Sequence, residues 1–207
     1  VYVFRETGGE WVHFSTISDE IDEISQGVQF DKIIVKGNTI VISSAFSSIT
    51  NVIYLYQNDQ KNESLVPLQE PLPFKKSIRT MSLGNNYLVY STAPLHGVNT
   101  DLDVDGVFLY HRQDTNQPFT LLQYFDSSDY DYGFGHSLTM DNGILVVGSY
   151  NYTHILSQQS NGILWEKMLT LDQSYDNYQI SGRTLIAANQ NEVYAMNIAD
   201  CTQPIPT

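Results

Sequence analysis

The sequence predicts an all-β fold assembled from a repeated unit of short antiparallel strands. Three observations predict it: a composition rich in strand formers, a short apolar motif that recurs along the chain, and a Gly- or Asn-centred turn that recurs in step with it. The 207 residues include 14 Tyr and 9 Phe, with many Val and Ile, and aromatic and branched side chains pack well on a pleated surface. Helix-period stretches are scarce. An all-β chain of this length commonly forms one domain.

The recurring motif is an opening strand. It reads Val1-Tyr2-Val3-Phe4, Ile53-Tyr54-Leu55-Tyr56, Val107-Phe108-Leu109-Tyr110 and Val193-Tyr194-Ala195-Met196, with a weaker copy at His154-Ile155-Leu156. Its spacing of about 40–55 residues is that of β-propeller blades. The repeats accordingly run over residues 1–52, 53–106, 107–152 and 153–192, with the opening strand of a further blade at 193–198. A polar turn and a bulky second strand follow at Gly8-Gly9-Glu10-Trp11, Asn116-Gln117-Pro118-Phe119 and Asn161-Gly162-Ile163-Leu164-Trp165. Gly and Asn suit such hairpins because they tolerate positive φ.

A third element then turns on Gly or Asn and closes as an apolar strand ending in small residues. Its copies span 33–45, 82–93, 138–149 and 180–188. A strand that is apolar without alternation is one buried on both faces, and small residues at its end suit a crowded seam between neighbouring blades.

Gly133-Phe134-Gly135-His136-Ser137-Leu138, followed by Asn142-Gly143-Ile144-Leu145-Val146-Val147-Gly148-Ser149, resembles the FG-GAP repeat of integrin-α-like β-propellers. Other copies keep fragments of it at Val28-Gln29-Phe30-Asp31 and Phe74-Lys75-Lys76-Ser77, and Tyr175-Asp176-Asn177-Tyr178 lacks it. The repeats make about four blades of four-stranded antiparallel sheets, and the resemblance implies a larger ring of about seven to which they would belong; the other reading is that four blades close a small ring. The resemblance also implies a calcium loop. In Asn99-Thr100-Asp101-Leu102-Asp103-Val104-Asp105-Gly106, the resemblance makes Asp101, Asp103 and Asp105 the ligands, with hard oxygens converging on the cation. The loop falls in what reads as the connection between blades, and Leu109 stands where such loops usually supply a further acid. A second acidic run, Asp126-Ser127-Ser128-Asp129-Tyr130-Asp131-Tyr132-Gly133, leads into the Phe-Gly motif.

Charge narrows the partners. A net charge of −13 with thinly spread Lys and Arg offers no footprint for phosphate backbones or anionic lipid, and no apolar run approaches the ~20 residues that span a bilayer. The start on Val1 and the ending Cys201-Thr202-Gln203-Pro204-Ile205-Pro206-Thr207 read as an excerpt of a longer protein, with 201–207 a linker. Cys201 either pairs in a disulfide outside the segment or is an ordinary thiol. Asn62-Glu63-Ser64 and Asn151-Tyr152-Thr153 are glycosylation triplets in expected loops.

His13, His96, His111, His136 and His154 fall one per segment, without metal-ligand spacing, and no nucleophile elbow or phosphate-cradling loop occurs. The expectation is therefore a non-catalytic extracellular or cell-surface scaffold that binds other protein domains or further copies of itself. The alternative is a carbohydrate-binding, lectin-like module that uses Tyr130, Tyr132, Tyr150 and Tyr152. An enzyme with an axial pocket comes last.

Overall fold

The computed structural model describes residues 1–17, 29–45, 51–59, 64–74, 77–93, 106–159 and 164–198. Asp101, Asp103, Asp105, Asn62 and Cys201 lie outside them. The chain divides into two compact units, residues 1–75 and 76–207. Their described residues form antiparallel sheets, with a short 3-10 turn at Ser127–Asp129.

In the first unit, β1 (Tyr2–Thr7) and β2 (Glu10–Thr16) form a hairpin about Gly8 and Gly9. Next come β3 (Gln29–Lys36), β4 (Thr39–Ala45), β5 (Asn51–Asp59), β6 (Ser64–Pro67) and β7 (Leu72–Phe74). They make one sheet in the order β3-β4-β5-β6, and β7 continues the outer edge along the first half of β5. Pro67 and Pro73 sit in this outermost position, where a missing donor costs no ladder bond and discourages pairing with another chain. Val1, Val3 and Ile17 pack with Ile40, Ile42 and Tyr54, so the hairpin closes over the sheet. The backbone nitrogen of Val1 donates to the Ile17 carbonyl at 2.8 Å and ties off the hairpin's open end.

In the second unit, β8 (Ser77–Leu83), β9 (Tyr87–Ala93), β10 (Gly106–His111) and β11 (Thr120–Asp126) form a sheet in chain order. So do β12 (Ser137–Asp141), β13 (Ile144–Gly148), β14 (Thr153–Gln158) and β15 (Trp165–Leu171), and then β16 (Asn177–Ser181), β17 (Thr184–Ala188) and β18 (Val193–Asn197). The first strands meet, with β12 against β8 on one side and β16 on the other.

Strand β13 shows why the apolar run was needed. Leu145 and Val147 join the core shared with Val89, Val107 and Leu109 of the preceding sheet. Val146 points the other way, into the core with Ile180 and Leu185 of the following one. Side chains alternate across a strand, so burial on both faces demands an unbroken apolar sequence. Asn142 and Gly143 make the turn into this strand with φ of 44° and 76°, the positive pair that a two-residue type I′ hairpin requires.

The recurring motif falls at a different phase in the described sheets from that expected of the sequence. The opening strands at Val107 and Ile53 are third in their sheets, paired with the apolar strand that precedes them. Strands β9 and β10 are therefore neighbours within one sheet, and the acidic stretch 99–105 lies outside the described residues. Register irregularities make the equivalence concrete. Strands β1, β10 and β14 each break register against the next strand, at Val3/Phe4, Leu109/Tyr110 and Ile155/Leu156, matching places in the recurring motif. First strands share another: an extra residue, Asp31 in β3 and Arg79 in β8, bulges opposite the small residues that end the second strand. On this count β1 and β2 are equivalents of the third and fourth strands of a unit.

Candidate functional site

The Phe-Gly motif is the seam between two sheets of the second unit. Residues 127–136 lead from β11 to β12, and Phe134 enters the core beside Leu138 and Val107. Tyr130 stacks flat on Phe134 at 3.9 Å between ring centroids. The edge of His154 meets both rings, and Lys167 lies 5.7 Å over the outer face of Tyr130. Burial, with Asp129 nearby, pushes the Tyr130 hydroxyl pKa up. His154 is itself buried, its Nε2 2.6 Å from Asp131 Oδ1 and its Nδ1 3.3 Å from Thr170 Oγ1.

Beyond this seam the loop turns outward and builds a cleft of about 150 Å³. Arg79, Thr92, Ser127, Asp131, Tyr132 and Tyr150 line it, with Gly133 and Phe134 at its back. Gly133 has no side chain to spare: a Cβ there would lie 2.4 Å from the Tyr150 ring. Tyr132 is 83 % exposed and Tyr150 45 %, and their rings sit 5.2 Å apart at 43°. Arg79 reaches them from β8. Its Nη2 donates to the Tyr150 hydroxyl at 3.3 Å and its Cζ lies 5.8 Å from the ring centroid. Arg79 is the extra residue of the β8 bulge, and bulges characteristically re-aim a side chain.

The cleft is short of hydrogen bonds. Asp131 Oδ2 and Thr92 Oγ1, both in its lining, are buried without a partner among the described residues. His136 Nδ1 is a third such atom, and its ring lies 5.1 Å from Tyr150. Desolvation and the neighbouring Arg79 charge hold the His136 pKa below its usual range, with Asp176 opposing them. Native proteins leave few buried polar atoms unpaired, and each one is destabilising until something satisfies it.

Of the four tyrosines grouped in the sequence, Tyr132 and Tyr150 come together at the surface. Tyr130 is committed to the stack on Phe134, and Tyr152 is half-buried near His154. Asn151 is exposed in the β13–β14 connection, while the Thr153 hydroxyl of its triplet is buried, bonded to the Gln173 carbonyl and Tyr178 hydroxyl. Leu109 is wholly buried in the core. Leu109 is the position where the resemblance would place a further calcium ligand, and the three aspartates of that loop lie outside the described residues. Arg79 and Thr92 were invisible as site residues in the sequence.

A second surface stands out in the first unit. Tyr2, Phe4, His13 and Trp11 share one face of the β1–β2 hairpin, as the pairs Phe4↔His13 and Glu6↔Trp11 require. His13 meets the Tyr2 and Phe4 rings edge-on. Trp11 is 71 % and Tyr2 73 % exposed.

No family model and no curated protein sequence matches the chain. Among solved structures it is similar to Hsv2 of Kluyvelomyces marxianus, a propeller-like protein, at 9 % identity and a TM-score of 0.50. The match covers 78 % of this chain and 45 % of that one, so the chain spans less than half the length of Hsv2. The computationally designed protein Ika8 also matches, at 10 % identity and a TM-score of 0.36, over 82 % of this chain and 71 % of that one. The likeness to Hsv2 shows an all-β, propeller-like fold.

Proposed function

We propose that the chain is a non-catalytic propeller scaffold of the extracellular or cell-surface type, which binds other protein domains or further copies of itself. The observation that carries this reading is the aromatic face of the β1–β2 hairpin, where Tyr2, Phe4 and Trp11 stand exposed on a two-stranded ribbon. Aromatic residues are enriched in the buried centres of protein interfaces, and a contiguous exposed apolar patch marks a surface that another protein covers. In this reading the sheets are FG-GAP-type blades, about four of them, belonging to a ring of about seven. The shared bulge positions and the likeness to Hsv2 support the propeller part.

Sedimentation equilibrium of the full chain tests the proposal. The expected result is self-association as concentration rises, abolished in a Phe4→Ser/Trp11→Ser double variant whose circular dichroism is unchanged. A chain that stays monomeric at every concentration, with Trp11 equally open to quenching by acrylamide throughout, would overturn self-association and leave only other protein domains as partners.

A further inference from the structure

We infer that the cleft between Arg79 and the Tyr132–Tyr150 pair binds one neutral hexopyranose ring. The inference rests on the chain being a binding module, but it uses a different surface from the hairpin face.

Four features of the cleft point to this chemistry. Tyr132 offers an exposed, electron-rich ring face to a ligand, and the Tyr150 ring borders it at 5.2 Å and 43°. The axial C–H face of a pyranose is weakly positive and apolar, and it stacks on such faces. The lining also holds Asp131 Oδ2 and the Thr92 hydroxyl, buried and unpartnered among the described residues; Thr92 is only 5 % exposed. A carboxylate oxygen accepts and a hydroxyl both donates and accepts, so neighbouring sugar hydroxyls could satisfy both. Size limits the ligand. A cavity of about 150 Å³ holds one six-membered ring.

Charge excludes the nearest competitors. Arg79 already occupies the cation position over Tyr150, so a second cation there would meet repulsion. An anion would find Arg79, but beside it the buried Asp131 carboxylate, in a protein of net charge −13. A neutral polyhydroxylated ring is the ligand that uses the aromatic faces, the acceptor and the hydroxyl together. The β8 bulge supports a built site, because it turns Arg79 out of the ladder toward Tyr150, 71 residues away in the chain.

Saturation-transfer NMR and calorimetry test the proposal on the full chain produced in a host that adds no glycans. The probes are methyl β-glucopyranoside, methyl α-mannopyranoside and methyl β-N-acetylglucosaminide, with sorbitol and glucuronate as open-chain and anionic controls. At least one glycoside should bind through its ring C–H protons, and neither control should. Tyr132→Ala, at an exposed position, should weaken binding about fivefold to tenfold with an unchanged melting temperature. Thr92→Val should weaken it about fivefold. Absence of binding by all three glycosides, or affinity unmoved by Tyr132→Ala, would overturn the site.

The ring has two sources, and Asn151, next to Tyr150, separates them. If chain secreted from a glycosylating host binds the free glycoside more weakly than its Asn151→Gln variant, the chain's own glycan supplies the ring. Equal affinity assigns the site to a foreign saccharide. Self-association through the hairpin face is measured on the same samples, so failure of one reading leaves the other standing.

Discussion

The hydroxyl of Ser91 donates a 2.6 Å hydrogen bond to the carbonyl of Gly135, fastening the loop before β12 to the second strand of the neighbouring sheet. A Cβ on Gly135 would lie 2.7 Å from Ser91 Cβ, and the residue holds a φ of 84°. Gly135→Ala should therefore lose about 2–4 kcal/mol in urea denaturation, from the left-handed backbone and the overlap together. Ser91→Ala should lose about 1–3 kcal/mol by stranding a buried carbonyl. An unchanged midpoint in Gly135→Ala would remove the seam from the account.

The buried His154 ring depends on Asp131 for one of its two hydrogen bonds. Asp131→Ala is expected to cost about 1–3 kcal/mol, because a desolvated ring nitrogen loses its partner. Asp131→Asn keeps an acceptor oxygen in the same place, so it should cost less than the alanine. If chemical denaturation gives the two variants equal stability, the hydrogen bond is not what Asp131 contributes.

Core position and surface position within one strand pattern should differ sharply. Leu145 is wholly buried between two sheets, and Leu145→Ala should cost about 2–5 kcal/mol. Ile186 on β17 is largely exposed, and Ile186→Thr should stay within about 0.5 kcal/mol. Thermal melts followed by circular dichroism check both.

His136 makes stability depend on pH in a definite direction. Its folded pKa lies below the ordinary value near 6.5, through desolvation and the Arg79 charge, partly offset by Asp176. The unfolded chain therefore takes up a proton that the folded chain refuses in the window just under pH 6.5. Stability from this group is fully present above that value and is lost as pH falls through it toward the folded pKa. Urea midpoints at pH 7.5 and 5.5 should drop less between the two conditions in His136→Gln than in the parent chain. An equal or larger drop in the variant would contradict the assignment.

Residues such as Val146 explain why so much of the fold was legible. A strand buried on both faces must be apolar at every position, and such runs survive in the sequence whatever surrounds them. The phase was not legible, because a repeat reads the same from any starting strand; only the pairing of β9 with β10 shows where a sheet begins. The cleft was half legible. Tyr132 and Tyr150 lie in loops and were readable as exposed aromatics, but Tyr130 is drawn back onto Phe134 by the tight loop around Gly133. Arg79 joins them through sheet-to-sheet packing and one extra residue in a strand, and neither leaves a local pattern in the sequence.

The same double burial of β13 carries a consequence for how the chain finds its structure. In a half-exposed strand, sliding by one residue throws apolar side chains into water and is punished at once. In Ile144–Gly148 the slid pairing would still be apolar on both sides, so hydrophobicity gives little guidance about alignment. That information resides in Asn142 and Gly143, whose left-handed turn admits one alignment of β12 with β13. Errors at these two residues should thus surface as mispaired, aggregating molecules during refolding, more than as a lower melting temperature in those that succeed.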